Sequence, residues 1–285
     1  MEIVTTIAHL RALLHHHRCE DRAVGLVPTM GYLHAGHQSL MRRSAAENEI
    51  TVSTVFVNPL QFAPDEDLAA YPRDPDGDAA KAEASGTDLL FMPEHGEMYP
   101  TPVQTTVSVG AIAGPLEGRS RPTFFDGVAT VVAKLFAIAG PCRAYFGEKD
   151  WQQLLVVRKL AADLSLPVDV IGCPIVREPD GLAMSSRNAY LTGADRAAAP
   201  VLHRALRIGA RLLESGEADV ETVRRAIEAV VAEEPLATLD YAAVVDAETL
   251  VAPAPDVAEL RLLIAAQVGP ARLIDNIGAT RSVPA

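Results

Sequence analysis

Cysteine is scarce in this chain, and long apolar runs are missing. The three cysteines, Cys19, Cys142 and Cys173, are far apart, odd in number and outside any CxxC pair. This usage favours reduced thiols and leaves no evident zinc site or cysteine nucleophile. No uncharged apolar stretch is long enough to span a bilayer, and the start, MEIVTTIAHL, has no basic region before an apolar run. We therefore expect a cytoplasmic protein that neither enters the membrane nor is exported.

Positive charge is also in short supply. The 285 residues include 25 Lys and Arg against 37 Asp and Glu, a formal net charge of -12. Such a surface repels nucleic acids and anionic lipids unless positive charge is concentrated in one cleft. We expect no nucleic-acid partner and no membrane partner. With 49% hydrophobic residues, the chain can build the sizeable core of a soluble globular protein.

Strand-like and helix-like segments alternate through the first part of the chain. Apolar, β-branched runs predict strands at 23–29, 49–59, 87–93, 142–147 and 168–176, with helices at 36–49, 74–86, 126–140 and 149–166. The run 103–110, VQTTVSVG, predicts a hairpin arm or a peripheral strand. Alternation of this kind is typical of a parallel sheet covered by helices on both faces. We predict an α/β fold with a doubly wound parallel sheet.

The pattern changes after MSSRNAYLT, at 184–192. Thr192 to Asp195 is typical of a capping box that opens a long amphipathic helix at 200–216, and Asp219 is placed to cap a second helix at 220–234. Three strand-like segments without intervening helices follow, at 239–246, 259–269 and 271–278. This order predicts a small antiparallel sheet with two helices. We accordingly divide the chain into a larger domain, 1–184, and a smaller α+β domain, 185–285.

Residues 34–37, HAGH, directly follow the first of these predicted strands. In an open parallel sheet, ligands bind at the carboxyl ends of strands, and the next helix offers backbone N–H groups and a positive dipole end to anions. His34 and His37 lie about one helical turn apart, and Gly36 lets a phosphate approach the backbone. Imidazoles can donate hydrogen bonds to phosphate oxygens and, as cations, offset the charge of departing pyrophosphate. The motif suits a nucleoside triphosphate, although structural histidines or a metal pair remain open from the spacing alone.

Two further segments carry groups suited to phosphate. GEKD, at 147–150, follows a predicted strand and opens a helix, so that Lys149 can reach phosphate while Asp150 caps the helix or holds a ribose hydroxyl or metal. MSSR, at 184–187, supplies two hydroxyls and the guanidinium of Arg187. Three such segments together favour a nucleotide site.

Taken together, these stretches resemble the pantothenate synthetase (pantoate:beta-alanine ligase) family of the HIGH-motif nucleotidyltransferase superfamily. The resemblance covers most of the chain and rests on LVPTMGYLHAGHQSL, VSTVFVNPLQF, YPRDPDGD, TVVAKLF, YFGEKDWQQL, IVREPDGLAMSSRN, LDYAAV and RLIDNI. It implies that ATP and pantoate form pantoyl adenylate and pyrophosphate, and that beta-alanine then releases AMP and pantothenate. It also implies Mg2+ with the ATP, a homodimer, a Rossmann-like ATP- and pantoate-binding domain, and a C-terminal lid domain.

The resemblance assigns roles to individual residues. ATP would be bound by Met30, Gly31, Tyr32, Leu33, His34, Ala35, Gly36, His37, Gly147, Glu148, Lys149, Asp150, Val176, Met184, Ser185, Ser186 and Arg187. The catalytic set would be His37 as proton donor, with His34, Lys149 and Arg187. Gln61 and Gln153 would bind pantoate, Gln61 also lying near beta-alanine. Neutral amides can orient a carboxylate nucleophile without quenching its charge. The magnesium ligands are left unassigned.

One departure from the family pattern and three alternatives remain. Phe124 stands where the family more often has a His, so any polar contact made there in relatives is absent or supplied differently. An adenylyltransferase acting on a phosphate acceptor would need more cations than this candidate pocket offers. A tRNA synthetase is disfavoured by the negative charge and the lack of a tRNA-binding appendage. A catalytically silent nucleotide sensor would bind ATP and leave it intact.

Overall fold

The computed structural model describes residues 1–64, 66–217 and 219–282. The chain forms two compact units. The first comprises Met1–Glu148 and Gln152–Pro174, and the second comprises Lys149–Trp151 together with the chain from Ile175 onward. The compact units therefore assign 149–151 and 175–184 to the second unit, whereas the functional division at residues 184 and 185 remains a prediction.

The first unit is built on a parallel sheet. Its strands in the described residues are β1 Glu2–Val4, β2 Val24–Thr29, β3 Ile50–Val55, β4 Leu89–Phe91, β5 Cys142–Gly147 and β6 Val168–Cys173. They lie in the order β1-β4-β3-β2-β5-β6, with every neighbouring pair parallel. The parallel α/β sheet predicted from the alternating pattern is confirmed.

Helices cover both faces of this sheet. They are α1 Ile7–Cys19, α2 Ala35–Glu47, α3 Pro75–Glu83, α4 His95–Met98, α5 Glu117–Ser120, α6 Phe124–Ala139 and α7 Trp151–Asp163. Successive residues of a strand point to opposite faces. Leu26 and Val27 of β2 are 1% and 0% exposed, so each face is buried under helices.

The strand order reverses between β2 and β5. From β2 the chain steps through β3 to β4 toward one edge of the sheet, whereas from β5 it steps to β6 toward the other. The loops that leave the carboxyl ends of β2 and β5 therefore diverge, and ligands of open α/β sheets bind in the crevice at such a reversal. Residues 30–37 and Gly147–Glu148 lie at these two strand ends.

Two features of the first unit differ from the sequence-based prediction. The segment 103–110 was wrongly predicted as a strand: it has no strand partner, and the Val107 N–H instead donates to Thr130 Oγ1 on α6 at 3.0 Å. A β-branched composition favours a strand only where a neighbouring strand offers its backbone. β1 was missed because a three-residue strand has no detectable period.

The second unit packs helices on an antiparallel sheet. Its described elements are α8 Gly193–Ala198, α9 Val201–Glu214, α10 Val220–Ala232, β7 Ala237–Asp246, β8 Glu259–Val268 and β9 Ala271–Thr280. The sheet order is β7-β8-β9, and both pairs are antiparallel. Leu202 and Leu206 of α9, Ile227 of α10 and Leu262 of β8 are at most 2% exposed in one core. The small α+β architecture is confirmed.

Capping in the second unit follows the sequence at one helix and departs from it at another. Asp219 caps α10 as predicted, its carboxylate accepting from the Glu221 and Thr222 N–H groups at 3.2 and 3.1 Å. The capping box at Thr192 was wrong: Thr192 precedes the short α8 and makes no side-chain cap bond. Pro200 lacks an N–H and begins a new helix, so α9 is separate from α8.

None of the helices in the described ranges combines the length and apolar character needed to cross a bilayer.

Candidate active site

The loop after β2 has an unusual backbone that one buried carboxylate holds in place. Gly31 and Tyr32 both have left-handed φ angles, +86° and +50°. The N–H groups of Tyr32 and Leu33 donate to Asp78 Oδ2 and Oδ1 at 2.8 and 2.6 Å, and Asp78 is 1% exposed. A side chain on Gly31 would come within 2.9 Å of Asp78 and of Val55. Glycine is therefore required there, and Asp78 fixes the approach to α2.

The two histidines of HAGH form the first turn of α2. Ala35 begins the helix and His34 is its N-cap, its Nδ1 accepting from the Gly36 N–H at 3.1 Å. His37 Nδ1 accepts from the His34 N–H at 3.4 Å, and the two rings stack with centroids 4.0 Å apart. Since each Nδ1 is an acceptor, the proton of a neutral ring belongs on Nε2. The two rings thus lie on the same side of the helix, as their spacing predicts.

Gln61 is oriented beside this loop by a chain of hydrogen bonds. It is 8% exposed and ends the short 3-10 helix Pro59–Gln61 that follows β3. The Tyr99 hydroxyl donates to Asn58 Oδ1 at 2.9 Å, Asn58 Nδ2 donates to Gln61 Oε1 at 3.0 Å, and Gln61 Nε2 contacts Met30 Sδ at 3.1 Å. Burial raises the pKa of Tyr99 to about 12, which keeps its hydroxyl a donor. The structure thus brings Gln61 and Met30 together.

Phe124, the departure from the family pattern, supports an arginine next to Gln61. Arg121 forms a two-pronged ion pair with Glu66, both distances being 2.6 Å, and donates to the Gln61 carbonyl at 3.1 Å. Its guanidinium lies 3.8 Å from the centroid of the Phe124 ring. An aromatic face in this position stabilises the cation without a hydrogen bond. Phe124 therefore contributes stacking where a histidine would add a polar group.

The adjacent glutamines at the start of α7 have different surroundings. Gln152 is 2% exposed and fully bonded: its amide nitrogen donates to the carbonyls of Ile112 and Pro115, and its oxygen accepts from the Glu117 N–H. Gln153 is half-buried, and its side chain makes no hydrogen bond within the described part of the chain. Gln152 therefore has a structural role, and Gln153 keeps its amide for another partner.

Strand β5, next to β2 in the sheet, ends at Gly147, and Glu148 follows it. A Cβ placed on Gly147 would meet no atom within 4 Å, so the space beside this strand end is open. The predicted residues of the first unit, Met30 to His37, Gln61, Gly147, Glu148 and Gln153, follow β2, β3 and β5, which are neighbours in the sheet. Because these strands are parallel, the residues that follow them lie at the same end of the sheet, where the strands have their carboxyl ends.

In the second unit, Lys149 lies beside the polar segment that contains Ser185. Lys149 Nζ is 3.6 Å from Asp150 Oδ1, and the lysine side chain is 18% exposed. Lys149, Ser185, Asn188 and His203 line a small cavity of roughly the space that one water molecule needs. The structure thus brings Lys149 and Ser185 together.

Residues 176–187 form a hairpin-like loop followed by a capped turn. The Met184 N–H donates to the Val176 carbonyl at 3.0 Å, which pairs two of the predicted ATP residues. Ser185 Oγ accepts from the Arg187 N–H at 3.3 Å and caps the 3-10 helix Ser186–Tyr190. Ser186 is 8% exposed, whereas Arg187 is half-buried. The backbone of the MSSR motif is therefore fixed locally.

A buried ion pair, which the sequence did not reveal, supports the same loop. Arg177 contacts both oxygens of Asp275, at 2.6 and 2.9 Å, and Asp275 is 3% exposed. His203 Nδ1 lies 3.8 Å from Asp275 Oδ2 and is buried with no hydrogen-bond partner among the described residues. Burial, with the nearby Arg177 and Arg207, lowers the pKa of His203. The ring is therefore held neutral beside the ion pair.

Cys142 and Cys173 show no sign of activation. Burial raises the pKa of Cys142 to about 12 and also raises the pKa of Cys173. A thiol with a raised pKa is a poor nucleophile at neutral pH, since the thiolate is the reactive form.

Comparisons with known proteins identify the family of the chain. The sequence matches the family described as pantoate-beta-alanine ligase over residues 2–278. It is 52% identical over 283 residues to the pantothenate synthetase of Roseiflexus sp. (strain RS-1), covering 97% of this chain and 98% of the relative. It is 47% identical over 277 residues to the pantothenate synthetase of Caldicellulosiruptor bescii, with coverages of 97% and 98%.

Solved structures give the same result. The pantothenate synthetase of Thermus thermophilus matches with a TM-score of 0.92 at 49% identity, covering 97% of this chain and 99% of that one. The pantoate-beta-alanine ligase of Francisella tularensis, in a complex with beta-gamma ATP and beta-alanine, matches with a TM-score of 0.81 at 32% identity and covers 97% of each chain.

Proposed function

We propose, from the premise that the chain belongs to the pantoate-beta-alanine ligase family, that this protein joins pantoate to beta-alanine at the expense of ATP. In the first step the pantoate carboxylate attacks the α-phosphorus of ATP, and pyrophosphate leaves with the electron pair of the broken P–O bond. In the second step the amine of beta-alanine attacks the acyl carbon of the adenylate, loses a proton and displaces AMP. The observation that carries this proposal is the stacked His34–His37 pair at the N-terminus of α2.

In the first unit, residues 30–37 would bind the ATP phosphates, with Gly147 and Glu148 at the neighbouring strand end. The first turn of a helix presents backbone N–H groups and a positive dipole end to an anion. His37, with its Nδ1 occupied by a backbone N–H, would donate from Nε2 to a phosphate oxygen as charge develops there, and His34 would act beside it. Preorganised donors of this kind act without reorganising during the reaction.

In the second unit, Lys149 and Arg187 would share the charge of the departing pyrophosphate. Neutralising charge on a leaving phosphate is the main catalytic task once the reactants are positioned. Around them, Asp150, Val176, Met184, Ser185 and Ser186 would make the remaining contacts with ATP. Support for this set comes from the grouping of Lys149 with Ser185 and from the pairing of Val176 with Met184.

Gln61 and Gln153 would hold the pantoate carboxylate. The Gln61 amide is oriented by Asn58, and its nitrogen carries a second N–H beyond the one that contacts Met30. An amide donor holds a carboxylate without the strong ground-state stabilisation that a guanidinium would impose. Gln61 would also lie near beta-alanine in the second step.

Magnesium would accompany the ATP. The described residues contain no group of three or more His, Cys, Asp or Glu placed to hold a metal ion. Mg2+ retains water and binds through substrate phosphates and one or two carboxylates, of which Asp150 is the candidate here. Bound in this way, the ion would offset negative charge on the phosphates. We also propose a cytoplasmic homodimer, with 1–184 as the ATP- and pantoate-binding domain and 185–285 as the lid domain.

The test is a stepwise assay of the two half-reactions. Enzyme with ATP, Mg2+ and pantoate should release pyrophosphate in a burst near enzyme stoichiometry, and sustained AMP release should require beta-alanine. ATP binding without pyrophosphate release would instead indicate a nucleotide sensor. Turnover with a phosphate-bearing acceptor in place of pantoate would indicate an adenylyltransferase.

The adjacent glutamines provide a matched pair of variants for the same assay. Gln153→Ala should raise the KM for pantoate about tenfold, since one or two hydrogen bonds to a charged ligand are lost, while thermal stability stays unchanged. Gln152→Ala should lower stability, because it leaves buried backbone groups without partners. Equal effects of the two substitutions on the pantoate KM would count against the role of Gln153.

A further inference from the structure

The peptide of Lys149 is held by a residue from the far end of the chain. Asn276, on β9, donates from Nδ2 to the Lys149 carbonyl at 2.7 Å, across 127 positions of sequence. Asn276 is 1% exposed, so this hydrogen bond is shielded from water. A buried donor aimed at one carbonyl fixes the plane of that peptide, and with it the direction in which the lysine side chain leaves the backbone.

Asn276 is itself fixed on every polar atom. Its Oδ1 accepts from Arg261 Nε at 2.7 Å, its N–H donates to Asp275 Oδ1 at 2.7 Å, and its carbonyl accepts from Arg177 at 3.2 Å. Since a guanidinium only donates, the oxygen of the amide must face Arg261 and the nitrogen must face Lys149. The orientation of the amide is therefore set by chemistry, without the usual ambiguity between its O and N.

A second contact from the same sheet holds the segment two residues further on. The guanidinium of Arg261 lies 3.7 Å from the centroid of the Trp151 ring, and Trp151 Nε1 donates to the Ala247 carbonyl at 2.9 Å. Arg261 thus connects the residue that holds Lys149 with the ring of Trp151. Residues 149–151 are fixed at both ends by side chains of the second unit.

We infer that Asn276 is a positioning residue that aims Lys149 at the departing pyrophosphate. The inference rests on the role proposed above for Lys149. In this role Asn276 acts on the backbone of Lys149 and does not bind substrate itself. Its effect is therefore expected in the rate of adenylate formation more than in ATP affinity. A displacement of about 1 Å at a reacting group can cost on the order of a hundredfold in rate.

Asn276→Asp is the sharpest variant, and the same sheet offers a matched control. The change replaces the N–H donor with a carboxylate oxygen that repels the Lys149 carbonyl, while the contact with Arg261 is kept. Gln267, on β8, also donates its amide to a backbone carbonyl, that of Gly269 at 3.0 Å, but is exposed. Gln267→Glu is thus the same chemical change at a site without a link to Lys149.

The experiment is a double-mutant cycle read by single-turnover pyrophosphate release from ATP, Mg2+ and pantoate. Asn276→Asp should lower the rate constant about 30-fold with little change in the ATP concentration at half-saturation, and Gln267→Glu should have no effect. In a Lys149→Ala background, Asn276→Asp should reduce the rate less than twofold further, because the group it positions has gone. If Asn276→Asp does not fold, Asn276→Gln, which shifts the same amide by one methylene, takes its place in the cycle.

Two results would overturn the inference. One is a full rate for the Asn276 variant, and the other is the same fold loss with and without the Lys149 side chain, which indicates a purely structural role. A Lys149→Ala enzyme with the wild-type rate would instead refute the proposed role of Lys149 itself. That result comes from the single variant Lys149→Ala. A failure of the inference about Asn276 can therefore be distinguished from a failure of the proposed role of Lys149.

Discussion

The candidate site residues of the two units are held in place by different means. In the first unit, residues 30–37 are shaped mainly by contacts close in sequence. Gly31 and Tyr32 have left-handed φ angles, and the N–H groups of His34 and Gly36 donate to His37 Nδ1 and His34 Nδ1, all within seven positions. In the second unit, Lys149 depends on Asn276, and the loop from Val176 to Met184 depends on the pair between Arg177 and Asp275. The first arrangement is local, and the second is built from side chains brought together by the fold.

This difference predicts where substitutions far from the chemistry will matter. A local arrangement survives changes elsewhere as long as the strand and helix that flank it remain. An arrangement of buried, mutually dependent side chains loses several contacts when one member is removed. The loop at residues 30–37 also has a long-range tie, the carboxylate of Asp78 on α3, so it provides a direct comparison.

Arg177→Met should have the largest effect on stability. Removing one partner of a buried ion pair leaves the other charge uncompensated, here Asp275 at 3% exposure, and costs about 3–5 kcal/mol. Urea unfolding followed by Trp151 fluorescence will measure the loss, since this is the chain's single tryptophan and it belongs to the second unit.

The matched control for Arg177 is the exposed pair of Arg272 and Asp240 on the same sheet. Their contact is 2.6 Å, but the Asp240 side chain is 36% exposed and the Arg272 side chain 28% exposed, so Arg272→Met should cost no more than about 1 kcal/mol. If the two arginine variants lost similar amounts of unfolding free energy, the view that buried side chains hold the loop from Val176 to Met184 would be contradicted.

Asp78→Asn should affect the loop at residues 30–37, because Asp78 accepts hydrogen bonds from that loop. The amide keeps one acceptor but turns an N–H₂ group toward one of the two backbone N–H groups of Tyr32 and Leu33, at a cost of about 2 kcal/mol. We expect the ATP KM to rise about tenfold, since the loop that would bind phosphate loses half of its anchor. Steady-state pyrophosphate release at varied ATP measures this.

Asp76→Asn is the control for Asp78. It lies in the first turn of the same helix, is exposed, and makes the same chemical change without contact to the loop. If both variants raised the ATP KM equally, a general effect of charge on α3 would replace the anchoring explanation.

The local and the long-range arrangements of contacts also differ in how far the sequence predicts them. The HAGH turn follows from the strand pattern before it and the helix pattern after it, and the parallel sheet follows from the alternation of strands and helices. Asp78, Asn58 and Asn276 were not singled out, although each lies in a stretch that resembles the family. Their partners are 46, 3 and 127 positions away, and only the folded structure shows which buried atoms meet. Phe124 was recognised as a departure, but its stacking on Arg121 required the structure.

The smallest expected effect is a pH dependence of stability that originates from His203 in the second unit. Desolvation, then Arg177, lower the pKa of His203, Asp275 acts in the opposite direction, and Arg207 lowers it further. Because the folded-state pKa lies below the unfolded value of about 6.5, protons bind the unfolded chain more readily. The stability associated with neutral His203 is therefore fully present above about pH 6.5 and is lost as pH falls from there through the folded-state pKa.

His203→Asn should remove that contribution, so the decline in the free energy of unfolding between about pH 7 and pH 5 should be shallower than in the wild type. The comparison uses the slope with pH, because the substitution also changes packing in the cavity and so shifts stability at every pH. His16→Asn, on an exposed face of α1, is the comparison variant for the loss of one imidazole from the first unit. An unchanged slope in His203→Asn would show that the ion pair of Arg177 and Asp275 tolerates a charged imidazole beside it, and the buried network of the second region would then be less tightly coupled than its contacts indicate.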